Sequence, residues 1–275
     1  MLKTQWIIIS VALLAILGLY QLPKVVVNTS ADLPIDQASV SAPDQTSTPA
    51  DQTPIPENVS QKLNALKISF HTAREIKQKQ TLADSVTGIY KNFNQWDSAA
   101  VYASYAAREI ADAESWWKAA DTYFEAHNYY TALDNAKAQN YGEQARYYYQ
   151  KILAKDSLAL DAQAKMAVTF VNSPNPMQGI QMLLKVLATD ENNKLALFHL
   201  GSFSIQSGQY DKASQRLEKL LSLDSSDSRA KLLLSQAYIN LGQSNRAKEL
   251  LENLILTEQD SLLRAAANDY LNQLK

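Results

Sequence analysis

The chain of 275 residues contains no cysteine. Disulfides, thiolate catalysis and cysteine-ligated zinc or iron–sulfur centres are thereby excluded. Basic residues show no excess: 26 Lys and Arg stand against 28 Asp and Glu, for a formal net charge of -2. Neutralising a phosphate backbone needs positive charge, so nucleic acid is not an expected partner. Glycine and proline are scarce, at 7 and 8. Pro23, Pro34, Pro43, Pro49, Pro54 and Pro56 all precede residue 60, and only Pro174 and Pro176 follow. A long stretch with few breakers, rich in Ala, Leu, Lys, Gln and Glu, reads as all-helical. His71, His127 and His199 lie far apart, with no paired-ligand spacing. No Gly-rich phosphate loop and no G-x-S-x-G motif is present. The chain is therefore not expected to be an enzyme, and no catalytic residue, metal or cofactor is assigned.

What is present falls into three parts. Residues 1–27 hold an apolar, uncharged run from Trp6 to Leu22, seventeen residues long. That is the short end of a membrane span. Lys24 can snorkel, and Trp6 and Tyr20 sit where interfacial aromatics are common. A cleaved signal peptide is the rival reading, but Gln21, Leu22, Pro23 and Lys24 supply no small-x-small site after the run. The expectation is a transmembrane anchor with a cytoplasmic N-terminus, since Lys3 and the α-amine precede the span. The remainder then lies in the periplasm or another extracytoplasmic space. Residues 28–58 are rich in Pro, Asp, Gln, Ser and Thr, without Lys, Arg or aromatics. Such a composition predicts a disordered linker. Residues 59–275 form the helical domain.

That domain repeats with a period of 34. Ala145, Gly179, Ala213 and Ala247 are small; Tyr149, Leu183, Leu217 and Leu251 are large; Leu153, Leu187, Leu221 and Ile255 are aliphatic. Small, then large four later, then aliphatic eight later is one face of a helix. Asp156, Asp190, Asp224 and Glu258 are read as capping the helix that follows. A second helix precedes each of these: Met166, Leu200 and Leu234 are followed by the small Ala167, Gly201 and Ser235. Turn signals at Pro174-Asn175-Pro176, Gly208-Gln209 and Gly242-Gln243 separate the two.

Leu197, Leu200-Gly201, Gly208, Tyr210, Ala213, Leu217 and Leu223-Asp224 together resemble the tetratricopeptide (TPR) pattern. The resemblance implies an all-α, right-handed α-solenoid of about five helix–turn–helix units with capping helices, preceded by the transmembrane helix and linker. Tyr90, Trp96, Ala99 and Ala106 fit a divergent unit near 80–113. The step from Trp117 to Gln163 predicts an enlarged second unit, through longer helices or an inserted turn around 127–141. Residues 59–79 are read as a leading helix and 261–274 as a closing one. Trp116, Tyr147 and Tyr148 do not all fit one packed face; they either pack within the enlarged unit or anchor a partner.

In this family the first helix of each unit lines a concave groove. The resemblance carries that role to Val168, Val171 and Asn172, to Phe198, Ile205 and Gln206, and to Leu232, Gln236, Ile239 and Asn240. The Lys and Asn of the family's carboxylate clamp are replaced by Ala164, Val168, Phe198, Ser202, Leu232 and Gln236, so that ligand is not expected. An apolar floor beside an amide column suits a hydrophobic peptide. The resemblance is to membrane-tethered envelope TPR assembly factors, and it implies a scaffold that binds a client protein or peptide. The alternative is a self-associating structural protein of the cell envelope, a homo-oligomer through the same groove.

Overall fold

The computed structural model describes residues 53–171 and 173–274. The expected anchor and nearly all of the expected linker lie outside them. Twelve helices and no strand occur among the described residues. Helix α1 (Glu57–Thr72) leads. Five pairs follow: α2 (Ile76–Asn92) with α3 (Trp96–Ile110), α4 (Ala113–Tyr130) with α5 (Asn135–Lys155), α6 (Leu160–Val171) with α7 (Pro176–Thr189), α8 (Lys194–Gln206) with α9 (Tyr210–Leu223), and α10 (Ser228–Asn240) with α11 (Ser244–Thr257). Helix α12 (Ser261–Gln273) closes the array. Each helix packs on the next, and α4, α6, α8, α10 and α12 also touch in succession. This is the packing of a solenoid, in which each unit buries its apolar stripe only against its neighbours.

The repeat columns occupy the seams. Ala145, Ala213 and Ala247 are fully buried, as are Tyr149, Leu183, Leu217 and Leu251. A Cβ added to Gly179 would lie 2.4 Å from the Ala167 carbonyl oxygen, so α6 and α7 meet there backbone to backbone. Two turns have glycine in the left-handed region, Gly208 and Gly242, each at φ 72. The following amides close them, Gln209 N donating to Ser204 O at 2.7 Å and Gln243 N to Tyr238 O at 2.8 Å. The first pair closes identically with Asn94 at φ 54 and Gln95 N donating to Tyr90 O. Asparagine tolerates that conformation better than other residues with a side chain. In the third pair Pro176 instead occupies the first turn of α7, where its missing N–H costs nothing.

Several expectations change. The leading segment is not one helix to residue 79: α1 ends at Thr72 and α2 begins at Ile76. Thr72 Oγ1 donates to the Ile68 and Ser69 carbonyls, competing with helix continuation. The second unit is enlarged by longer helices, 18 and 21 residues. The acidic column does not cap the next helix. Asp156, Asp190 and Asp224 accept from the amides of Leu158, Asn192 and Ser226, bending the turn itself. The caps are Asn193, Asp227 and Asp260, which accept from Ala196, Ala230 and Leu262.

Aromatic rings hold the long pair. Tyr130 and Tyr141 stack at 5.5 Å, and Tyr123 and Tyr148 at 5.9 Å. Tyr148 is thus core, whereas Tyr147 is exposed, with Lys151 Nζ over its ring and that of Trp116. Buried His127 donates from Nδ1 to the Ala138 carbonyl at 2.7 Å, tying α4 to α5. Its buried Nε2 has no hydrogen-bond partner.

Candidate functional site

The first helices α2, α4, α6, α8 and α10 present three columns of side chains along one face. In chain order these are Asp84, Lys118, Ala164, Phe198 and Leu232; Gly88, Thr122, Val168, Ser202 and Gln236; and Lys91, Glu125, Val171, Ile205 and Ile239. The face changes character along its length. Its first two units are charged, and its last three are apolar with amides.

The charged half is cross-braced. Lys118 Nζ lies 2.5 Å from Asp84 and 2.8 Å from Glu114. Lys91 pairs with Glu125. Asp121 accepts from Lys165 Nζ at 2.9 Å and from the Tyr149 hydroxyl at 2.8 Å. Two of these bridges join equivalent positions of consecutive first helices. Beneath them the side chains are small: Ala83, Gly88, Ala103 and Ala106 line a cleft of about 680 Å³, with Trp117 at its wall. A Cβ on Gly88 would meet nothing within 4 Å. The cleft exists because the floor lacks bulk.

The apolar half is less open than the repeat pattern implies. Val168 is 4% exposed and packs in the core with Ala164 and Leu200; Ile205, 8% exposed, packs with Leu197 and Tyr238. These two are seam residues and not groove floor, because adjoining first helices touch at their positions. Val171, Phe198, Leu232, Gln236 and Ile239 are half-buried, and Gln206 and Asn240 are exposed. Leu232 leans on the cluster of Leu251, Leu254 and Ala267 with Tyr270. Arg229 lies over the Phe198 ring at 5.0 Å. Asn240 Nδ2 donates to the Gln236 carbonyl of its own helix. Asn172 lies outside the described residues. The structure thus brings Phe198, Leu232 and Ile239 to one face, while the cleft on that face is at units one and two. One signal pointed there: Asp84 and Lys118, and Lys91 and Glu125, are opposite charges separated by one repeat length.

His199 packs between Phe198 and Phe203, at ring centroid distances of 5.3 and 6.1 Å. Burial, with Arg229 adding repulsion, pushes its pKa down to about 4. Burial likewise lowers His127. A base whose folded pKa is depressed favours the unfolded chain once pH drops below the unfolded value, about 6.5. Stability is therefore full above that pH and declines below it, at up to about 1.4 kcal/mol per pH unit for each histidine. The urea midpoint should fall between pH 6.5 and 5, and His127→Gln should flatten the slope. A flat profile in the parent would contradict the burial of His127 and the desolvation of half-buried His199.

Residues 204–268 match the model of the tetratricopeptide repeat. This stretch carries TPR repeats. It runs from the end of α8 into α12, the part where the columns are most regular. No curated protein matches the chain. Among solved structures, a tetratricopeptide repeat protein from Parabacteroides merdae is similar at TM-score 0.55 and 16% identity, over 79% of this chain and 82% of that one. A thermophilic TPR protein from Thermus thermophilus gives 0.54 and 15%, over 72% of this chain and 100% of its own. The quorum sensor NprR from B. thuringiensis, in its apo form, gives 0.54 and 17%, over 79% and 63%. The likeness is one of fold: an all-helical TPR-like solenoid, of the kind that suits protein or peptide binding. Among the described residues no helix is long and apolar enough to cross a membrane, and no group of His, Asp and Glu is placed to hold a metal ion.

Proposed function

We propose that this chain is a membrane-tethered scaffold that captures a client protein or peptide on its concave face, in the assembly of envelope proteins. The observation that carries the binding reading is the cleft of about 680 Å³ between the first helices of units one and two. Half-buried Phe198, Leu232 and Ile239 lie further along the first-helix face, in units four and five. A solenoid that only needed to be rigid would fill such a floor; Ala83, Gly88, Ala103 and Ala106 leave it open. The tether reading rests on the apolar run from Trp6 to Leu22, and the extracytoplasmic placement on Lys3 preceding it.

Panning a random twelve-residue peptide library against the full-length chain tests the binding reading. Enriched peptides should lose most of their affinity to Gly88→Leu, which fills the cleft, and part of it to Phe198→Ser. Tyr147→Ser, on the second helix of its unit, should change nothing. No enrichment, or equal binding by the Gly88→Leu variant, would remove the basis for the proposal. The tether is tested separately: the full chain should stay with membranes through an alkaline carbonate wash.

A further inference from the structure

We infer that the cleft of units one and two is a cradle for an arginine side chain of the client; this rests on the binding function proposed above. Four carboxylates line the cleft, Asp84, Glu114, Asp121 and Glu125, against two lysines, Lys91 and Lys118. The pairing is uneven. Lys91 answers Glu125, and Lys165 reaches across from α6 to answer Asp121. Asp84 and Glu114 share the single ammonium of Lys118. One negative charge at the cleft is left without a counter-charge of its own.

A second, independent feature lies at the same cleft. Thr87 lines the cleft and is only 8% exposed, yet its Oγ1 has no hydrogen-bond partner. A buried hydroxyl on a helix ordinarily bonds a carbonyl one turn back, as Thr122 does here. Its Oγ1 is closed off as the side chain now lies, so a guest's N–H would reach it only after rotation about χ1.

The guest's chemistry follows from the lining. Its stem must cross Ala83, Gly88 and Ala103, a path for methylenes. Its head must carry positive charge for Asp84 and Glu114 and several donors, one for Thr87. Trp117, half-buried at the wall, already has Lys165 Nζ 5.7 Å from its ring centroid and Tyr149 edge-on to it, so a guest meets only what those two leave open. A guanidinium has five donors in a plane, forks onto carboxylates and stacks on indole; an ammonium does only part of this. The chain's own residues 28–52 cannot be the guest. They contain Asp32, Asp36, Asp44 and Asp51 and no basic residue, so they carry the same sign as the cleft.

The same peptide library on the full-length chain provides the test. Binders to the parent should be enriched in arginine relative to the starting pool and to lysine. For a selected peptide, Arg→Gln should weaken binding by about ten-fold or more, the scale of one charge-assisted contact. The double variant Asp84→Asn with Glu114→Gln should lose the arginine preference, and Thr87→Val should reduce it. Phe198→Ser should lower overall affinity but keep the preference. If peptides bind and are sensitive to Gly88→Leu yet show no arginine preference, the cradle is wrong and the scaffold reading stands. If the preference persists in the double carboxamide variant, the cradle is also overturned. If no peptide binds, both fail together.

Discussion

Substituting alanine at three helical glycines should give three different results, although the chemical change is the same. Gly179→Ala is expected to cost the most, toward the upper end of the roughly 1–3 kcal/mol typical of overpacking. The new methyl would sit 2.4 Å from the Ala167 carbonyl oxygen, and 3.0 Å from a Val171 methyl. A helical carbonyl cannot step aside without breaking the hydrogen bond it accepts, so α6 and α7 must separate. Gly201→Ala meets Leu217 Cγ at 2.8 Å, a side chain with room to change rotamer only if its buried neighbours yield. A smaller cost is expected there. Gly88→Ala meets nothing and should stabilise by about 0.5–1 kcal/mol, the usual gain of alanine over glycine inside a helix. Urea midpoints at unchanged slope would order the three. Equal effects at Gly179 and Gly88 would contradict both the close crossing and the open cleft.

The same contrast explains how far the sequence could be read. The columns through Ala145, Tyr149, Leu153 and their repeats mark the second helices, because a small residue at a crossing and a large one beyond it serve a single neighbour. The first helices α6, α8 and α10 each touch four neighbours. Periodicity places Val168 and Ile205 on the inner face but cannot tell a seam from a floor. The first unit was legible only in outline, since Asn94 occupies the position that Gly208 and Gly242 hold later; conformation, not residue type, is what repeats. Asp190 and Asn193 could each have capped α8. Only the observed bonds assign the turn to the first and the cap to the second. The charged half of the face escaped notice because Asp84, Lys118, Lys91 and Glu125 individually resemble ordinary solvated helix residues. Their meaning lies in the bridges between helices and in the small floor below.

Tyr149 is where the core and that charged half meet, and its two substitutions should separate the two roles. The residue is fully buried. Its ring lies edge-on to Trp117 and Phe124, at centroid distances of 6.0 and 6.4 Å. Tyr149→Ala removes that ring from a seam between α4 and α5 and leaves a void, at an expected cost of about 3–5 kcal/mol. That is a large part of the roughly 5–15 kcal/mol by which domains are stable, so the variant should melt far below the parent. Tyr149→Phe keeps the ring and deletes only the hydroxyl that donates to Asp121. Asp121 retains Lys165 and is partly open to water, so no carboxylate is stranded. The expected cost is about 0.5–1.5 kcal/mol, that of one hydrogen bond. The phenylalanine variant should fold normally and bind selected peptides nearly as the parent does, because Asp121 is already answered and the unbalanced charge sits at Asp84 and Glu114. A phenylalanine variant that folds like the parent but loses the arginine preference would shift the decisive carboxylate to Asp121. An alanine variant as stable as the parent would mean that the second unit is not packed through this ring at all.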